Sequence, residues 1–192
     1  MNILLLGPQG SGKGTQAERI SASYGLPHIA TGDMLRRAIE DGSEFGRRVR
    51  PIYEAGDLVP DDLMIDLIRE RLNQDDVEDG FVLDGFPRTM RQAEALDQML
   101  REIHRTPTIV LQLEVPEEVC VQRLLWRARQ EDRTDDTPEA IRKRLALYRR
   151  ETEPVLEHYR AQGNLVVIHG DRSIDEVFHE IQEALEQAAV RR

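Results

Sequence analysis

The chain has 192 residues and a formal net charge of -10, a length that supports one ordinary core and a balance that argues against general nucleic-acid binding, which needs a broad positive surface. No apolar run approaches the length that crosses a bilayer, and the start, MNILLLG, carries no basic leader; the expectation is a cytoplasmic protein without a membrane partner. A single cysteine, Cys120, excludes a disulfide framework and a cysteine zinc cluster, and reads as a small buried apolar residue.

In chain order, short apolar runs at 2–6 (NILLL), 28–30 (HIA), 81–84 (FVLD), 108–113 (TIVLQL) and 165–169 (LVVIH) read as strands buried on both faces. Amphipathic segments at 13–23, 31–41, 44–54, 61–73, 89–104, 117–129, 138–161 and 174–189 read as helices. That alternation predicts an α/β fold in three layers, with a five-stranded parallel sheet covered by helices on both faces. Residues 31–60 place helices together without a strand and read as a helical insertion, whereas 130–137, QEDRTDDT, is a short polar loop. Thr137 followed by Pro138 predicts a helix start, threonine capping and proline at the first helical position.

The stretch GPQGSGKGTQ at 7–16 follows the first strand at once and opens the first helix. It nearly fits the phosphate-cradling pattern G-x-x-x-x-G-K-[ST]. Gly7, Gly12 and Lys13 are in place, but Gly14 stands where a magnesium-binding hydroxyl is expected, and Thr15 is displaced by one residue. Glycines let backbone N–H groups turn inward around phosphate oxygens, and the helix N-terminus adds positive charge. Lys13 is one of only two lysines, with Lys143, in a chain otherwise rich in arginine. Asp84 closes the third strand, and in an open parallel sheet strand ends and phosphate loop share one edge. A carboxylate there suits hydrated magnesium; its other reading is a cap for the turn before Gly85.

Val119, Arg123 and Arg127 recur at four-residue spacing, so two like charges share one helical stripe, which is unfavourable unless an anion lies against them. Arg144 falls between Ile141 and Tyr148 on the apolar face of its helix. Each of these arginines could instead pair with one of the many acidic residues. Thr31, opening a helical pattern, reads as an N-cap from its type alone.

GPQGSGKGTQ, TGDMLR at 31–36, GDLVPDD at 56–62 and DGFPRTMRQAEAL at 84–96 resemble the adenylate kinase family, and the match runs through essentially the whole chain. The loop of that family reads GKGT, so Gly14 conforms to it. The resemblance implies a P-loop α/β fold and reversible phosphoryl transfer from magnesium-bound ATP to AMP, giving two ADP. It divides the chain into a core (1–30, 61–126 and 138–192), an AMP-binding insertion (31–60) and a short lid (127–137). By the same resemblance ATP meets Gly10, Ser11, Gly12, Lys13, Gly14, Thr15, Arg123, Arg127, Arg133 and Arg172. AMP meets Thr31, Arg36, Gly56, Asp57, Leu58, Val59, Gly85, Phe86, Pro87, Arg88 and Gln92, with Arg133 and Arg144 near the transferring group. Lys13, Asp84, Arg88, Arg123, Arg133 and Arg144 are the implied catalytic set, magnesium being held through water near Asp84. Asp135 and Asp136 match an acidic pair associated with lid closure.

Gln92 distinguishes this text from the related UMP/CMP kinases, because a side-chain amide can both donate to and accept from the edge of adenine. Two positions depart from the family pattern: Tyr53, where many relatives carry methionine or another aliphatic residue, and Trp126 beside Arg127. The lid resembles the short kind without cysteine-bound zinc, so no structural metal is expected, and a monomer is the default. A guanine-nucleotide switch would carry an Asn-Lys-x-Asp reader, and neither lysine has that setting. A module that binds nucleotide without turnover stays open from the sequence.

Overall fold

Asn2–Leu6 is buried throughout, as a run of four apolar residues at the centre of a two-faced sheet must be. From this strand, β1, the chain runs through α1 (Lys13–Tyr24), β2 (His28–Ala30), α2 (Thr31–Glu40), α3 (Glu44–Glu54) and α4 (Asp61–Leu72). Next come β3 (Phe81–Asp84), α5 (Met90–Glu102), β4 (Ile109–Glu114) and α6 (Glu117–Gln130). The last elements are α7 (Pro138–Leu147), α8 (Glu153–Ala161), β5 (Leu165–His169) and α9 (Ile174–Val190). The computed structural model describes residues 1–130 and 137–190.

The five strands pair in parallel in the order β2-β3-β1-β4-β5. From β1 the chain goes to the sheet edge at β2, returns to β3 beside β1, and after β3 crosses to the other side, so the carboxyl end of β1 lies at the switch point where α/β sheets bind ligands. Alternation along each strand divides the core. Leu4, Leu6 and Leu83 join Ile68, Leu96 and Val155 from α4, α5 and α8. Ile3, Leu5 and Val82 join Ala17, Ile20 and Ile181 from α1 and α9 on the other face. Three layers result. Leu35, Val49 and Val59, from the strandless stretch 31–60, extend the first of these clusters. A third cluster, Val115, Cys120, Leu124, Ile141 and Leu145, ties α6 to α7, and Cys120 is fully buried in it, as its type suggests.

Thr137 caps α7, its hydroxyl accepting from the Ala140 N–H at 3.2 Å, with Pro138 in the first turn. The sequence predicts one helix over 138–161, but the chain instead passes through a π-helical turn, Tyr148–Thr152, between α7 and α8. Pro154 accounts for the break: it has no N–H to donate, and in a regular helix its ring would crowd the carbonyl of Arg150. A short 3₁₀ turn at Asp75–Val77 carries no apolar period and escapes sequence reading. β4 starts one residue later than its apolar run, at Ile109; Thr108 meets β1 through its hydroxyl, which accepts the Asn2 N–H at 2.9 Å, and through its own N–H, which donates to the Asn2 carbonyl at 2.8 Å. No helix among the described residues is long and apolar enough to cross a membrane.

Phe81, wholly buried in β3, packs between sheet and helices. Its replacement by alanine should destabilise the fold by about 3–5 kcal/mol through lost burial and the cavity left behind. Urea unfolding checks this: the midpoint should fall with the slope unchanged.

Candidate active site

The loop between β1 and α1 turns with left-handed glycines. Gly10 has φ 82°, and a side chain there would place its Cβ 2.6 Å from the Cys120 carbonyl oxygen, so only glycine fits. Gly12, at φ 94°, precedes α1 without a side-chain cap, and α1 has no acidic residue in its first turn. Every other α-helix among the described residues has either an acidic first turn or, in α5, the Thr89 cap. The N-terminus of α1 is therefore left to an outside anion. Lys13 Nζ donates to the Gly7 and Pro8 carbonyls, each at 2.8 Å. Burial pushes its pKa down to about 8, against the opposing pull of Asp84.

Parallel pairing of β1 with β3 sets Leu5 opposite Asp84, which brings the carboxylate to the mouth of this loop. Burial alone would raise the Asp84 carboxyl, but His28, Lys13 and Arg88 outweigh it and hold the pKa below the ordinary value. His28 Nε2 lies 3.9 Å from Asp84 Oδ2. A Cβ built on Gly14 would lie 3.8 Å from the same oxygen, so the position lacking a hydroxyl faces the carboxylate. No group of three His, Cys, Asp or Glu side chains forms a metal cage among the described residues. One ionised carboxylate across from a bare backbone position fits a cation that keeps its water and is held mainly by a nucleotide's phosphates.

Gly85 continues from Asp84 at φ 85°, and a Cβ there would meet the Thr31 hydroxyl at 2.4 Å. Thr31 does not cap α2. Ala30 occupies the N-cap position without a side-chain bond, and the buried Thr31 hydroxyl donates to the Asp84 carbonyl at 3.1 Å. Competition from that long-range acceptor overrides the local capping preference. Arg88 Nε donates to the Gly85 carbonyl at 2.7 Å, and the Thr152 hydroxyl donates to the Arg88 carbonyl at 2.8 Å. Burial and the nearby Arg144 lower the Arg88 pKa, with Asp84 opposing.

Two clefts open around these groups. The first is lined by Thr31, Gly56, Asp57, Leu58, Val59 and Pro87, with Gln92 at its side. The second is lined by Gly10 to Thr15, Arg36, Arg123, Arg127 and Arg172, with Trp126 on its rim. Gln9, Lys13, Tyr53, Gly85, Arg88 and Arg144 line both and form a shared wall. Arg123 crosses the second cleft, donating to the Gly170 carbonyl at 3.1 Å and to the Ser11 carbonyl at 3.4 Å. The Arg123–Arg127 stripe thus faces the loop, as the four-residue spacing implies.

One candidate sits away from the cleft surfaces: Phe86 is wholly buried and belongs to the core. Asp57 and Arg172 line the clefts but are engaged in ion pairs, Asp57 with Lys143 at 2.7 Å and Arg172 with Glu180. Arg133, Asp135 and Asp136 lie outside the described residues. Two features are invisible in sequence. Gln92 Oε1 accepts the Arg88 N–H at 2.7 Å while its Nε2 donates to Asp61 Oδ1 at 2.8 Å, so the amide orientation is imposed by neighbours. Asp61, which sequence marks only as a helix start, also accepts from the Thr89 hydroxyl at 3.0 Å.

A profile of the adenylate kinase family matches residues 5–164. A protein named adenylate kinase from Cyanothece sp. is 48% identical over 185 residues, covering 96% of this chain and 95% of its own length. Proteins of the same name from Archaeoglobus fulgidus and Methanosarcina barkeri are 42% and 40% identical, covering 97% and 98% of this chain and 99% and 100% of their own lengths. With a phosphate loop, an uncapped helix and two clefts meeting at a cationic wall, the chain belongs to the adenylate kinase family.

Proposed function

We infer that this protein catalyses reversible phosphoryl transfer from ATP to AMP, giving two ADP. One observation carries the residue assignments: two clefts, one floored by the phosphate loop, share a wall containing Lys13, Arg88 and Arg144. Such a wall suits a group that passes from one bound anion to another. The donor occupies the loop side, with its phosphates against Gly10–Thr15, Arg123, Arg127 and, from the residues outside the description, Arg133. The acceptor occupies the side lined by Thr31 and Gly56–Val59, its phosphate meeting Arg88 at the shared wall and Arg36, which lines the second cleft beside that wall and is joined to it through the Tyr53 hydroxyl.

In the forward reaction an oxygen of the AMP phosphate forms a bond to the terminal phosphorus of ATP. The bond from that phosphorus to the bridging oxygen breaks, and ADP leaves as an anion. No general base is needed, because the attacking oxygen is already anionic. What the protein supplies is alignment and charge neutralisation: Lys13 and the arginines stabilise charge spread over the transferring group. Asp84, kept ionised, would hold a hydrated magnesium ion through its waters, and the ion would supply charge neutralisation for the ATP phosphates. Gln92 contacts adenine through the N–H and lone pair its two protein partners leave available. Residues 31–60 close over the nucleotides and exclude water. We propose that the enzyme works in the cytoplasm as a monomer.

Phosphorus NMR of the protein with magnesium ATP and each of AMP, GMP, CMP and UMP tests the acceptor. Diphosphate should form rapidly with AMP alone; a preference for a pyrimidine would remove the role given to Gln92, and no transfer to any acceptor would leave only a binding module. The Arg88→Ala variant should lose roughly 10²–10³ in kcat with an unchanged circular dichroism spectrum; a normal rate would remove Arg88 from the site. The lowered pKa of Lys13 sets a pH dependence. Above about 8 the free protein loses the lysine cation and must take up a proton to receive phosphate. The value of kcat/KM for ATP should therefore be flat below that pH and fall above it, with calorimetry recording proton uptake on ATP binding. Release of protons there would contradict the assignment.

A further inference from the structure

Tyr53 stands in the last turn of α3, and its side chain and carbonyl are engaged by two arginines from different elements. Arg36 of α2 donates from Nη1 to the Tyr53 hydroxyl at 2.8 Å. Arg144 of α7 lies with its guanidinium carbon 5.5 Å from the centre of the Tyr53 ring, within cation–π range. Arg144 Nη2 also donates to the Tyr53 carbonyl at 3.3 Å. The ring belongs to the wall that both clefts share. An aliphatic residue at this position would keep the carbonyl contact and lose the other two.

We propose that Tyr53 is a positioning residue for the acceptor phosphate, fixing Arg36 through its hydroxyl and Arg144 through its ring. The proposal rests on the AMP-acceptor reading above. Arg36 has a competing partner, since its Nη2 pairs with Asp33. The Asp33 carboxylate is 65% exposed, against 26% for Arg36. Deprived of the phenol, the guanidinium keeps, among the described residues, that solvent-side carboxylate and turns away from the cleft. With the phenol in place it is held between two partners and needs little further ordering to receive a phosphate, which is how preorganisation raises affinity. Arg144 is constrained differently: the ring face restricts its plane, and the carbonyl restricts one nitrogen. Two arginines separated by more than a hundred residues are thereby set against one anion by a single side chain.

Tyr53→Phe and Tyr53→Leu separate the two contacts. Tyr53→Phe retains the ring and should raise KM for AMP roughly tenfold, the effect of losing one hydrogen bond to a charged group, with KM for ATP unchanged and kcat within about twofold. Tyr53→Leu removes the ring as well and should in addition lower kcat. In an Arg36→Ala background, Tyr53→Phe should have no further effect on KM for AMP, because the hydroxyl acts through Arg36. Thermal unfolding of each variant checks that the fold is retained. An unchanged KM for AMP in Tyr53→Phe, equal rises in KM for both nucleotides, or additive losses with Arg36→Ala would each overturn the proposal. Wild-type protein assayed alongside keeps the two readings apart: failure of the wild type to phosphorylate AMP would remove the functional reading and the Tyr53 role with it, whereas a competent wild type with an unaffected Tyr53→Phe would remove Tyr53 alone.

Discussion

The rung that sets Leu5 of β1 opposite Asp84 of β3 decides where the opposing charges of this molecule meet. Both strands run the same way, so both end at the same edge, and the loop that follows β1 turns back over the carboxylate that ends β3. Lys13, Arg88 and His28 then converge on Asp84. A register slip of one residue would move Asp84 to the other face of the sheet and leave the lysine and arginine facing each other without an anion between them. Such a slip would also carry Leu83 and Val82 into each other's core cluster, each packed for a different side chain.

An acidic chain that handles polyanions has to concentrate its positive charge. Here the concentration is achieved by position, since the cations at the shared wall come from α1, the β3–α5 turn and α7 and meet only after folding. Backbone contributes too, through an α1 N-terminus with neither a side-chain cap nor an acidic first turn. Like charges brought this close repel, and the structure offsets part of that repulsion with one carboxylate and with carbonyl acceptors from Gly7, Pro8, Gly85 and Tyr53. The remaining repulsion makes the cluster costly by itself and attractive to an anion.

Most of the fold was legible because its signals are local. Strand runs, helix periods, the Thr137 cap and the glycine loop each announce themselves within a few residues. The Arg123–Arg127 stripe was equally readable, since helical spacing puts both on one side. What escaped was set by partners distant in sequence. Thr31 looks like a cap, yet its hydroxyl reaches the Asp84 carbonyl 53 residues away. Gln92 can be recognised as an amide, but its orientation depends on Asp61, 31 residues earlier. Tyr53 reads as a departure from a family pattern, and only the folded chain places it between Arg36 and Arg144. The π turn before Pro154 was missed for another reason: a proline marks strain in a helix without stating whether the chain will stop, kink or widen.

The close approach of Gly10 to the Cys120 carbonyl has a mechanical side. Cys120 and Leu124 sit in the apolar cluster that binds α6 to α7, and Leu124 Cγ lies only 3.0 Å from where a Gly10 Cβ would be. There is no slack between loop and helix. A displacement of the loop at Gly10 is therefore passed to α6, and through their common apolar contacts to α7, the helix that carries Arg144. The glycine loop and Arg144 at the shared wall are thereby coupled like two ends of a short lever whose fulcrum is Gly10.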